Sequence, residues 1–158
     1  MVDFLVIGPR SAYAYKNIFI LIKDEKITVG YNRKSMYFDN NDIGVICRWF
    51  SNISDYCPPK LELKKHYNEI DYDRFDNYDC INIDSISDIP SDYDGLMGVP
   101  ISFLDKWNPE QFELVYASDY IDDVLFSNRS CMLLNCNGGE AAAVDGKKKF
   151  HRILIKKK

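Results

Sequence analysis

The sequence predicts an α/β unit at the N-terminus followed by a mostly β extension, so that the chain as a whole is α+β. Three observations carry this expectation. The opening run VDFLVIG is rich in β-branched and large apolar residues and stops at Gly8 and Pro9, as a strand buried on both faces would. Tyr15, Ile18, Phe19 and Ile22 then recur at helical spacing, with Ser11 as the expected N-cap and Lys16 and Lys23 off the apolar stripe. Beyond Cys57-Pro58-Pro59 the pattern breaks into short strand candidates separated by Asp, Asn and Gly.

Each element follows in order. KITVGY is a second strand candidate and Ile43 to Phe50 a third, so strand, helix and strand suggest a parallel unit. A buried parallel strand needs neighbours on both sides, and those of the first strand must come from elsewhere in this chain or from another chain. In the second half LELKK, CINID, ISFL, FELVYA, CMLLNC and FHRILIK stand out as strands, and Gly138-Gly139 suits a hairpin turn. The expected division is residues 1–53 for the α/β part and 54–158 for the extension.

Composition narrows the function classes. The 158 residues are 46% hydrophobic and 14% aromatic, enough to bury a core. A net charge of -4 argues against a wholesale nucleic-acid coat but permits a local basic patch. Between Glu69 and Asp94 there are nine acidic residues and one basic residue, Arg74, a solvated surface that would repel a DNA backbone. Seven cations fall in the twelve residues from Lys147 to Lys158. These either contact phosphate or line an edge strand whose Phe150, Ile153 and Ile155 partly face a core.

The five cysteines, Cys47, Cys57, Cys80, Cys131 and Cys136, have no paired-ligand spacing and read as free thiols of a reducing cytosol, with no metal expected. There is no signal peptide and no apolar stretch near the roughly 18 residues of a membrane span, so a soluble cytoplasmic chain is expected.

The stretch from Asp76 to Val115, DNYDCINIDSISDIPSDYDGLMGVPISFLDKWNPEQFELV, resembles the EcoRI-type adenine-specific DNA methyltransferases. They share an I-P-x-D-Y-D-G run and then M-G-V-P-I-T-F-L-D-K-Y-N-P-E-Q-F-E, with Ser102 for Thr and Trp107 for Tyr here. The block from Asp3 to Tyr31, the RWFSNI block from Arg48 to Ile53 and the closing GKKKFHRILIKKK are similar to other family blocks in the same order. The resemblance implies that FLVIG is the fifth strand of a class I methyltransferase-like doubly wound sheet. It also implies that the donor-binding glycine loop and the N-P-P-F/Y tetrapeptide, which holds a flipped adenine, belong upstream of this point. Neither motif occurs in these 158 residues: Pro58-Pro59 follows Cys57 and precedes Lys60, and Asn108-Pro109 has a single proline whose chemistry suits a turn with Gln111 at N3.

The resemblance therefore implies the C-terminal portion of an N6-adenine DNA methyltransferase of a restriction-modification system, truncated or one piece of a split enzyme. Its partners would be double-stranded DNA and a separate N-terminal methyltransferase half. S-adenosylmethionine would serve the complete enzyme, with no cofactor and no catalytic residue in this chain alone. Candidate DNA contacts are Arg10 and Lys16 near the cleft, and Lys106, Trp107 and Asn108 in the signature turn, where a ring could stack or an amide read a base edge. Core packing is the competing reading of Trp107. A non-catalytic nucleic-acid-binding or partner-binding module, or a decayed product, are the alternatives.

Overall fold

The computed structural model of the protein describes residues 2–31, 34–37, 44–76, 78–115, 143–149 and 152–158. Strand β1 (Leu5–Pro9) leads through a 3-10 turn (Arg10–Ala14) into helix α1 (Lys16–Lys23), and β2 (Thr28–Tyr31) and β3 (Cys47–Ser51) follow. The order is β1-β3-β2. Strand β3 is antiparallel to both neighbours, so β1 and β2 run parallel to each other, as a strand, helix and strand unit requires, with a reversed strand between them.

Two details differ from the sequence expectation. Strand β1 is not buried on both faces: it is an edge, and Leu5 and Val6 are 59% and 52% exposed. The helix also starts later than Ser11, which lies inside the 3-10 turn, and no side chain caps it. The Arg10 N–H is still bonded to the Ile46 carbonyl at 3.0 Å, so the chain leaves the sheet only after that residue and must tighten to turn. Phe19 and Ile22 carry the buried stripe of α1, while Tyr15 sits outside it, largely exposed.

Close approach explains two strand glycines. A Cβ on Gly8 would meet the Phe50 ring at 3.2 Å, and one on Gly30 would meet the Trp49 Cβ at 3.1 Å. Phe50 is on the covered face of the sheet. Trp49 lies on the opposite face, where it, Leu5, Ile53 and Tyr56 line a shallow, mostly apolar groove of about 560 Å³.

The second sheet has the order β4-β5-β9-β6, from β4 (Ile81–Asn82), β5 (Met97–Pro100), β6 (Phe112–Val115) and β9 (Arg152–Lys157). Strands β4 and β5 are parallel, and β9 is antiparallel to β5 and β6. The C-terminal strand is thus an inner strand, which corrects the edge-strand reading. Its consecutive apolar residues account for this: Ile153 and Ile155 enter the main core, whereas Leu154 enters a second cluster with Phe75, Cys80, Val115 and Val144. A small hairpin of β7 (Ala143–Val144) and β8 (Lys147–Lys148) turns at Asp145 and Gly146, both with positive φ. The Asp76 carboxylate accepts from both turn N–H groups, at 3.2 and 2.9 Å.

ISFL, expected as a strand, is the start of a 3-10 helix (Ile101–Lys106), because β5 ends at Pro100, which has no N–H to continue the ladder. LELKK is extended but joins no strand, with a single bridge from Lys65 to Pro90. CMLLNC, Gly138-Gly139, Cys131, Cys136, Phe150 and His151 lie outside the described residues. One core unites the two sheets, Tyr13, Phe19 and Phe50 from the first packing with Phe103, Phe112 and Ile155 of the second. Phe103 meets Phe112 edge-on at 5.3 Å. Among the described residues no helix is long and apolar enough to cross a membrane, and no group of three or more His, Cys, Asp or Glu side chains could hold a metal ion.

Candidate nucleic-acid interface

The carboxyl ends of strands in an open α/β sheet are where ligands bind, since the loops leaving them diverge. At the carboxyl end of β1 the structure has a cleft of about 500 Å³, bordered by Arg10, Arg48, Lys60, Ser102 and Lys106. Its walls come from the 3-10 turn after β1, the start of β3, the extended segment through Pro58 and Lys60, and the 3-10 helix that carries the signature FLDK. Two carboxylates, Glu62 and Asp105, share it with four cations.

Asp105 is already engaged. Its Oδ1 accepts from the Tyr13 hydroxyl at 2.7 Å and from Arg48 Nε at 2.5 Å, and its Oδ2 accepts from Arg48 Nη2 at 2.6 Å. The side chains of Arg48 and Asp105 are 2% and 8% exposed, and Arg48 also donates to the Cys47 carbonyl. A two-pronged guanidinium-carboxylate contact of this kind is strong and geometrically exacting. Hydrogen bonding to Asp105 raises Arg48 further above its usual value, against the opposing effect of burial. Burial, followed by the Asp105 charge and hydrogen bond, pushes the Tyr13 hydroxyl far above its ordinary range. Arg48 therefore stays charged and the Tyr13 hydroxyl protonated at any physiological pH.

The remaining charges of the cleft are looser. Lys60 pairs with Glu110 at 3.0 Å and Glu62 with Lys64 at 3.3 Å, all four side chains being well exposed. Arg10 and Lys106 have no ion-pair partner among the described residues. The structure thus brings together two of the five residues singled out in the sequence.

The other three are placed differently. Lys16 opens α1, but its side chain lies outside the described residues. Trp107 turns its ring N–H inward, donating to the Phe112 carbonyl at 2.9 Å, and packs against the main core. Asn108, 5% exposed, is engaged at both ends of its amide: Nδ2 donates to the Pro58 carbonyl and Oδ1 accepts from the Glu110 N–H. Gln111 continues the same seam, bonding both the N–H and the carbonyl of Leu61. The NPEQ turn therefore holds the extended segment that carries Lys60 against the body of the protein.

Three of the seven C-terminal cations are occupied as well. Arg152 and Lys149 converge on Asp84, and Lys157 contacts Asp94 and the Ser91 carbonyl. Burial alone would raise Asp84, but hydrogen bonds from Asn82, Lys149 and Arg152 outweigh it and hold the carboxyl low.

Sequence reasoning missed Tyr13, Arg48 and Asp105. The available signal was a charge inside an apolar run, Arg48 in VICRWF and Asp105 in SFLDKW, which calls for a buried partner. Nothing local pairs them, since they stand 57 positions apart.

Residues 41–158 match the family described as adenine-specific methyltransferase EcoRI. The chain is 35% identical to the type II methyltransferase M.EcoRI of Escherichia coli, over 98% of its own length and 50% of the relative's. It is 36% identical to M.MgeORF184P of Mycoplasma genitalium and 33% to M.MpnI of Mycoplasma pneumoniae, covering 57% of each. It thus spans about half the length of the curated relatives it matches. No solved structure matches it. The chain belongs to the EcoRI family of adenine-specific methyltransferases.

Proposed function

We propose that the chain acts as the C-terminal portion of an N6-adenine DNA methyltransferase of a restriction-modification system, a cytoplasmic protein whose substrate is double-stranded DNA. The observation that carries this is family membership over essentially the whole chain at half the relatives' length. In this reading residues 1–53 supply the terminal strands of a class I methyltransferase-like sheet and 54–158 a target-facing extension. The open outer edge of β1 and the uncovered Trp49 face support it, because a complete doubly wound sheet would continue past that edge and lay helices on that face.

S-adenosylmethionine is the methyl donor that the family implies for the complete enzyme. The residues described here do not fit it. The cleft at the β1 end is cationic and would oppose the donor's sulfonium, and its Asp105 is consumed by Arg48 and Tyr13. The part left to this chain is to bind and orient DNA while the partner half supplies donor site and chemistry.

The test is methyl transfer to duplex DNA, read as N6-methyladenine by mass spectrometry of the nucleosides. This chain alone is expected to give none and to take up no S-adenosylmethionine in calorimetry. Joined to the N-terminal half of the Mycoplasma genitalium relative, it is expected to give product. Saturable donor binding or methyl transfer by the isolated chain would overturn the proposal.

A further inference from the structure

We infer that Arg10 and Lys106 form a two-cation seat for one DNA phosphodiester, and that the buried Tyr13, Asp105 and Arg48 group sets the spacing between them. The inference deepens the function proposed above and rests on its DNA-facing part. The two cations belong to different short helices, Arg10 to the turn after β1 and Lys106 to the end of the segment after β5. In a 3-10 helix residues three apart eclipse one another, so Arg10 lies above Tyr13 on one edge of its turn. Lys106 is the chain neighbour of Asp105. The hydrogen bond from Tyr13 to Asp105 therefore joins the very segments that carry the cations, and Arg48 fixes the junction to β3.

The charge state of the cleft identifies the ligand. Two like charges lining one concave surface repel each other, and among the described residues neither has an acidic partner, Glu62 of the same cleft being paired with Lys64. An anion held between them removes that repulsion. Ser102 adds a hydroxyl donor on the same wall, and the weak surface pair of Lys60 with Glu110 lets Lys60 swing in as a third cation. Arg48 cannot serve itself, because at 2% exposure its guanidinium is committed to Asp105 and Cys47. It and Asp105 are positioning residues.

Salt dependence of binding to a short duplex tests the arrangement. Each lost phosphate contact lowers the slope of log K against log salt by about 0.9 and the affinity roughly fivefold at 0.15 M salt. Arg10→Ala and Lys106→Ala are each expected to show that loss, uniformly across DNA sequences, whereas Lys156→Ala on β9 is not. The decisive variant is Tyr13→Phe, which keeps the ring and the net charge but frees Asp105 on one side. It is expected to reduce the slope although no charge has been removed, and Asp105→Glu is expected to recover more of the slope than Asp105→Asn. A merely structural role would change the melting temperature and leave the slope alone, which overturns the positioning claim. Wild-type binding that Arg10→Ala and Lys106→Ala leave unchanged overturns the seat while the function proposed above stands. A wild-type chain that does not bind duplex at low salt overturns the DNA-facing reading and the seat together. Inorganic phosphate that displaces duplex better than chloride at matched ionic strength overturns the phosphodiester assignment in favour of a free-phosphate site.

Discussion

Replacing Asp105 by Asn isolates the energetics of the buried cluster, because the new side chain has nearly the same volume and opens no cavity. What changes is charge and donor count. Arg48, 2% exposed, loses its counter-charge, and one of the two positions that accepted its N–H groups becomes an NH2 that faces a donor. Breaking a buried ion pair from one side costs about 3–5 kcal/mol. The remaining carbonyl oxygen can still accept one bond, so the lower end, about 3 kcal/mol, is expected. With a urea m-value of roughly 2 kcal/mol per molar, the unfolding midpoint should fall by about 1.5 M. The triple variant Tyr13→Phe, Arg48→Met and Asp105→Leu should return most of the loss, since apolar replacement of all three partners removes the stranded charge and leaves no buried hydroxyl without an acceptor. An Asp105→Asn midpoint shift equivalent to less than about 1 kcal/mol would mean that water reaches the pair, contrary to its burial.

Two further outcomes follow from the same physics. Burial pushes the Cys80 thiol up to about 12 from its usual 9.0, so stability should hold up to about pH 9 and fall from there towards pH 12. The loss arises because the unfolded chain can release the proton and the folded one cannot; Cys80→Ala should flatten that alkaline limb in pH-dependent denaturation, and a limb unchanged by the substitution would exclude Cys80 as its source. The exposed apolar edge strand with Leu5 and Val6 is expected to make the isolated chain self-associate in light scattering, and Leu5→Glu to shift it towards monomer. A sharp wild-type monomer at high concentration would count against an unfilled sheet edge.

How much of this could be read in advance depended on whether the determining contacts were local. The strands around Val6, Val29, Ile81, Leu114 and Leu154 follow from short apolar runs bounded by turn residues, and the runs at β1, β2, β4, β6 and β9 were all legible. The position of β9 was not, because the cations along and before it look like edge protection until Asp84, partner of Lys149 and Arg152, and Asp94, partner of Lys157, arrive from more than sixty residues away. ISFL failed for a simpler reason: alternation favours a strand, but Pro100 just before it ends the ladder. The placement of Arg10 and Lys106 on one cleft was legible from a family motif together with strand polarity. Trp107 and Asn108 sit beside them in sequence, yet their polar atoms turn inward to Phe112, Pro58 and Glu110, a distinction that residue type alone does not carry.

The reversed strand β3 ties the sheet to the cleft. Because it runs against β1 and β2, its amino end lies beside their carboxyl ends, so Arg48, its second residue, reaches the same rim as Arg10, opposite Gly8 and Tyr31. A parallel strand in that place would present its carboxyl end at this rim. Register then becomes decisive, since side chains alternate along β3: Arg48 and Phe50 face the covered side, Trp49 the open one. A slip of one residue would put Trp49 where the guanidinium meets Asp105 and expose a cation on the apolar face, so the two faces enforce one pairing. The same alternation gives one strand two tasks, an inward charge that organises the cleft and an outward indole on the open apolar face.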